Sequence, residues 1–284
     1  MALPKITNKQ FTILTLLYQF HFVDRIQIQT LLGHKNHRRI HAWLNDLVSK
    51  KCVGRIYSNK MPDNTKPAVY HLAKYGRKIL QQAQELENKK LNNNGDESNQ
   101  FVEGTSLIFS THGLKSSYRD GTRTSLFRLQ CLALVDCYIA IKRQTKEKGY
   151  SLAYYSRFEC YDYDFLEELL PDGFVSQSAK NGRVKEYAIY FITHRLPRRI
   201  IRFKLRHMVN FFYEDNWQSD TPPKIRVICS NTPTRNYSKK IIESKLEYYG
   251  FPDNIDCKLT TINEFISFGI DGKIWKQPKN NDTY

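Results

Sequence analysis

The sequence lacks any paired-cysteine motif. Its six cysteines (Cys52, Cys131, Cys137, Cys160, Cys229 and Cys257) are scattered, with no CxxC and no CxxCH. That spacing argues against a zinc site, and a chain of 284 residues can build a core without a disulfide framework. The expectation is six reduced, mostly buried thiols in a cytoplasmic protein. Long apolar runs are missing as well. Met1–Gln10 has no signal-peptide apolar stretch, and nothing approaches the roughly 20 apolar residues that span a bilayer, so no membrane partner is expected. There is no glycine-rich phosphate loop, no HExxH and no GxSxG elbow, which leaves nucleotide hydrolysis, zinc hydrolysis and the common serine hydrolases without support. No cofactor is implied.

Acidic residues are scarce at one end. Lys and Arg number 44 against 28 Asp and Glu, a net charge of +16. Met1–Gln84 carries 14 basic and 3 acidic residues, or +11; the other 200 carry 30 and 25, or +5. A basic N-terminal third is the electrostatic footprint of a polyanion binder. Composition shifts again at Gln84–Gln100, where two apolar residues accompany an Asn/Gly/Asp cluster that cannot form core. The expected organisation is a first domain over residues 1–84, a linker over 85–100 and a second domain over 101–284.

Periodicity orders the first domain. Phe11, Leu14, Leu17 and Tyr18 recur at helical spacing in residues 7–20, with Thr7 or Asn8 as N-cap. A short helix over 24–32 follows, closed by Gly33, and a third starts near Asn36 and runs to about Lys50. On that helix Ile40, Trp43, Leu44, Leu47 and Val48 form one stripe; Arg38, His41, Asn45 and Ser49, flanked by Arg39, form the other. Two strand-like pieces, 52–57 and 68–72, bracket the polar tip SNKMPDNTKP, and a helix begins at Lys74. Three helices, a basic hairpin and a closing helix make the order of a winged helix-turn-helix. The run IQIQTLLGHKNHRRIHAWLNDLVSKKCVGRIY, followed by PAVYHLAKYGRKIL, resembles the winged-helix pattern of bacterial regulators and replication-associated proteins. That resemblance implies a recognition helix for the major groove, where Arg reads guanine and Asn reads adenine. Arg38, Arg39, His41 and Asn45 are the candidates there. Arg55, Asn59, Lys60 and Lys66 on the wing are candidates for the backbone or minor groove.

The remainder reads as mixed α/β: an apolar helix over 125–142, strands at 152–158, 173–177 and 186–193, a helix over 197–213, a strand at 224–230, a helix over 237–248 and a strand near 257–261. Asp162, Asp164, Glu167 and Glu168 read as a solvated helix start. Leu170-Pro171-Asp172-Gly173, the strand EYAIYFIT, the helix piece RFKLRHMVNFF with Lys204, and KIRVICSNTPTR resemble the second domain of replication-relaxation family proteins, which join a winged helix to a restriction-endonuclease-like core. The resemblance implies an α+β protein from plasmids or mobile elements. A nuclease of that fold holds Mg²⁺ with the Asp of the turn and an acid on the next strand. Here Asp172 matches, but the strand offers Tyr190 and Ile192, and Glu186 at its start is expected to be misplaced. The expectation is therefore a core with neither catalytic nor metal-binding residues. Arg195, Arg199, Arg202 and Arg206 share one helix face opposite Ile201, Leu205, Met208, Val209 and Phe212; Arg199, Arg202 and Arg206 are phosphate-binding candidates.

Taken together, these readings point to a non-enzymatic, sequence-preferring binder of double-stranded DNA, serving replication, mobilisation or transcriptional control. The alternative is a metal-dependent nuclease directed by the winged helix. Further partners to expect are a second copy of the chain or a replication or conjugation protein.

Overall fold

The first helix, α1 (Asn8–Phe20), is fixed by a reciprocal cap: the Thr7 hydroxyl accepts from Gln10 N and the Gln10 side chain accepts from Thr7 N. Its buried face is Ile13, Leu14, Leu17, Tyr18 and Phe20. Asp24 and Gln27 repeat the device at the head of α2 (Arg25–Leu31). Asn36 caps α3 (His37–Ser49), its Oδ1 accepting from Arg38 N and Arg39 N. Gln10 Nε2 donates to Asp46 Oδ2 at 2.6 Å and so ties α1 to α3. The short strand β1 (Val23–Asp24) joins β2 (Val53–Ile56) and β3 (Val69–Leu72) in an antiparallel sheet of order β1-β3-β2. The next helix, α4 (Lys74–Asn94), starts at once after β3. Gly76 sits where a Cβ would come 2.2 Å from the Cys52 carbonyl oxygen, so the glycine after β3 is required by close packing on the end of β2.

The computed structural model describes residues 3–57, 65–94, 109, 111–160, 164–214, 217, 221–250 and 255–278. The chain divides into two units, Met1–Val135 and Asp136–Tyr284. That division lies well beyond the 85–100 segment expected from composition. The reason is visible in the first unit. Phe109 meets Tyr18 edge-on at 5.0 Å, Asp120 pairs with His21, and Gln27 Nε2 donates to the Leu132 carbonyl. Phe109 and residues 111–132, including α5 (Thr111–Ser116) and a 3-10 helix (Ser117–Thr122), thus complete the first core. A polar stretch marks where core is missing, not where a unit ends.

The long helix α6 (Ser125–Glu147) contains the division. In the second unit a five-stranded sheet runs β4 (Ser151–Ser156), β5 (Gly173–Ser178), β6 (Val184–Ile192), β7 (Lys224–Cys229), β8 (Cys257–Thr261), in that spatial order. The first three strands are antiparallel neighbours; β6, β7 and β8 are parallel. Parallel neighbours need crossovers, supplied by α8 (Arg198–Tyr213) and α9 (Thr232–Tyr248). The short helices α7 (Asp164–Leu169) and α10 (Ile262–Phe268) follow β4 and β8. Central position explains the unbroken apolar run in β6: Tyr187 through Ile192 are all buried. Ala188, Tyr190 and Ile192 pack with Ile201, Leu205, Met208 and Val209 of α8 in one core. The chain is α+β, and α7 interrupts the run of three strands that the sequence pattern set between α6 and α8. Among the described residues no helix is long and apolar enough to cross a membrane.

Candidate nucleic-acid interface

On α3 the apolar stripe is turned inward: Ile40, Leu44 and Leu47 are fully buried. The same helical period turns Arg38, Arg39 and Asn45 to solvent and leaves His41 half-buried. These four candidates therefore share the outer surface of one helix. Arg55 is exposed on β2, its guanidinium 5.2 Å above the Tyr57 ring, and Lys66 is exposed just before β3. Asn59 and Lys60 lie outside the described residues.

His41, Arg55 and Lys66 come together on one open cleft of about 300 Å³, joined by Arg25 from the start of α2 and by Tyr57 and Tyr70. Sequence reading missed Arg25 and Tyr70. Arg25 follows a capping residue and looks like a helix start; Tyr70 alternates with Leu72 as a strand core residue. Only the register brings them in, because β3 lies between β1 and β2 and pairs Tyr70 with both Val23 and Arg55. His37 and His41 of α3 stand at an i, i+4 spacing that suits metal ligands. No third His, Cys, Asp or Glu joins them among the described residues.

All six cysteines are buried, and none forms a disulfide. Burial pushes the Cys52 thiol up to about 11 and those of Cys229 and Cys257 to about 12, which makes them poor nucleophiles and metal ligands. One trio has the connectivity of a hydrolase site: His21 Nδ1 lies 2.8 Å from Asp120 Oδ1, and Nε2 lies 3.2 Å from Ser116 Oγ. The Ser116 hydroxyl donates to the Gly113 carbonyl at 2.7 Å, however, so its proton points away from the imidazole. General-base activation of the serine needs the reverse. The trio is a buried clasp between the end of α1 and residues 113–120.

In the second unit Asp172 sits just before β5, and its N–H donates to the Ile189 carbonyl. Its Oδ2 accepts from Phe191 N at 2.7 Å and from Lys204 Nζ of α8, while Arg157 approaches Oδ1 at 3.6 Å. Tyr190, where the nuclease pattern wants an acid, is fully buried and donates to the Leu169 carbonyl. Glu186 pairs with Ser176; four residues before Tyr190, it stands about 13 Å away along the strand. Burial raises its carboxyl above the usual range. Among the described residues a divalent ion therefore finds one carboxylate here, already paired with an ammonium, and these residues do not fit the two-acid metal site. Burial also lowers the Lys204 ammonium, which Asp172 offsets.

Arg199, Arg202 and Arg206 are exposed on α8, opposite a fully buried Ile201, Leu205, Met208, Val209 and Phe212. Arg195 precedes the helix and is exposed too. Phe203, 69% exposed, stands among them. Arg202 Nε donates to the Tyr237 hydroxyl at 2.9 Å, which steadies that side chain on α9.

Comparison with protein-family models, curated proteins and solved structures gives no match. The functional reading therefore rests on these residues.

Proposed function

We propose that this chain is a double-stranded DNA-binding protein whose first unit works as a winged helix, with α3 entering the major groove and the β2–β3 hairpin reaching the backbone. The observation that carries this reading is that α3 exposes Arg38, Arg39 and Asn45 while His41 of the same helix lines a cleft with Arg25, Arg55 and Lys66, in a segment of net charge +11. An α-helix fits the major groove, and Arg and Asn are the side chains that form bidentate contacts with guanine and adenine edges. The cations beside it suit phosphates, which position the helix without specifying sequence. The order of elements supports the winged-helix reading, since a strand pair follows α3 directly and a helix closes it.

The second unit is proposed to be a restriction-endonuclease-like core that grips DNA without cutting it. The three antiparallel strands joined to a parallel one through α8 support that fold, and the ion-paired Asp172 argues against chemistry there. The resemblance to replication-relaxation proteins makes plasmid or mobile-element replication, mobilisation or its transcriptional control the proposed setting. A second copy of the chain or a replication or conjugation protein is the further partner proposed. The test is a gel-shift with the full chain on the DNA flanking its own gene, with and without Mg²⁺. A retarded band over random duplex, with no cleavage, is the expected result; no retardation at any salt concentration overturns it.

A further inference from the structure

We infer that the cleft between α3 and the β2–β3 pair is a seat for one sugar-phosphate unit, with the Tyr70 hydroxyl donating to a phosphate oxygen. Tyr70 has no exposed surface, yet its Oη has no hydrogen-bond partner among the described residues. Burying a hydroxyl without a partner is costly, and such atoms in native proteins need a reason. The reason offered by the geometry is a ligand. Tyr70 lies directly across the strand pair from Arg55, so both side chains leave the sheet on the same face. That face carries the cleft, where Arg25, His41 and Lys66 meet them.

The chemistry of the walls selects the ligand class. Arg25, Arg55 and Lys66 supply positive charge, and no carboxylate lines the cleft among its described residues. Asp24, next to Arg25 in the chain, uses its carboxylate to accept from Gln27 N at the head of α2. Burial raises the Tyr70 phenol above its ordinary range despite the opposing charges of Arg55 and Arg25, so the hydroxyl keeps its proton and remains a donor. Ile26, Pro67 and Ala68 add an apolar wall. Anion donors beside an apolar wall suit a phosphate attached to a sugar better than a bare inorganic ion. A DNA strand and a free nucleotide both carry that sugar-phosphate; assigning it to a strand rests on the DNA-binding reading above.

The experiment compares the full-length chain with Tyr70→Phe. One arm measures affinity for a duplex that the protein retards, with single methylphosphonate linkages placed in turn along each strand. The other titrates free dAMP by calorimetry. Removing an unpartnered hydroxyl leaves the fold intact and raises the thermal midpoint, whereas it removes a charge-assisted hydrogen bond to the ligand. Expected is an affinity about tenfold lower for duplex, with interference abolished at one phosphate only. A Tyr70-dependent dAMP affinity with unchanged duplex binding keeps the site and assigns it to a free nucleotide. If the wild type retards no duplex yet binds dAMP through Tyr70, the DNA reading fails and the site stands. The inference is overturned if the folded Tyr70→Phe protein matches the wild type on both ligands. Should that variant not fold, Arg55→Met is used instead, because Arg55 is exposed; unchanged affinity for both ligands again overturns it.

Discussion

The ammonium of Lys204 meets the same carboxylate oxygen of Asp172 that receives the backbone N–H of Phe191. Both residues are largely buried, with side chains 16% and 10% exposed. The pair thus joins α8 to the edge of β5 from inside the unit. Breaking such a pair from one side leaves a buried charge alone, at a cost of about 3 kcal/mol or more. Asp172→Ala is expected to destabilise by that order, and Asp172→Asn with Lys204→Met to cost less than the two single changes added together. Urea unfolding of the wild type, Asp172→Asn, Lys204→Met and the double variant measures the coupling. Additive costs would show that the two groups do not depend on each other.

The surface of α3 gives a second expectation. Arg38 and Asn45 are exposed and stand apart from the buried stripe, so Arg38→Ala with Asn45→Ala leaves the fold in place. Each base contact is worth about 1–3 kcal/mol of discrimination. Competition between specific and random duplex is expected to lose its preference in the double variant. Selectivity that survives intact would take α3 out of the base-reading role.

Arg55 and Lys66 are expected to act through charge alone. Replacing both with Gln should weaken binding to all duplexes by similar factors and reduce the log–log salt slope by about 0.9 for each phosphate that is no longer neutralised. Fluorescence anisotropy at several salt concentrations reads this directly. An unchanged slope would remove the strand pair from the interface.

Elements set by local chemistry were legible in the sequence. The caps at Thr7 and Asn36 mark helix starts because a side-chain oxygen next to free N–H groups is a local event. Residues 257–261 read as a strand by their own pattern and form β8. What was not legible depends on pairing across distance. β1 is two residues long and exists only because β3 lies beside it. His21 and Asp120 are 99 residues apart, and neither carries a pattern that calls for the other. The 85–100 segment read as a boundary for the same reason, since the interactions that tie Phe109 and Leu132 to the first core are long-range. The polar row on α3 needed only helical periodicity, but the cleft needed the register of Tyr70 with Arg55.

The second unit supplies the last expectation. Hydrolysis by a nuclease of the proposed fold needs two protein carboxylates on the metal. Asp172 is the one in place, held by Lys204, and Glu186 stands about 13 Å along the strand from the position that a second would occupy. The full-length protein is therefore expected to leave supercoiled and linear DNA uncut with Mg²⁺ or Mn²⁺. Binding is a separate matter. Arg199, Arg202 and Arg206 project from the face of α8 opposite its buried stripe, so changing all three to Glu reverses charge while disturbing little beyond the Arg202–Tyr237 hydrogen bond. DNA affinity is expected to fall steeply at low salt, with the circular dichroism spectrum unchanged, because three attractions to phosphate become three repulsions. If cleavage is seen and Asp172→Ala abolishes it, then Lys204 must yield the carboxylate to a metal and the non-catalytic reading is wrong. If there is no cleavage and the Glu variant binds DNA like the wild type, the α8 face does not touch DNA, and the second unit serves a protein partner instead.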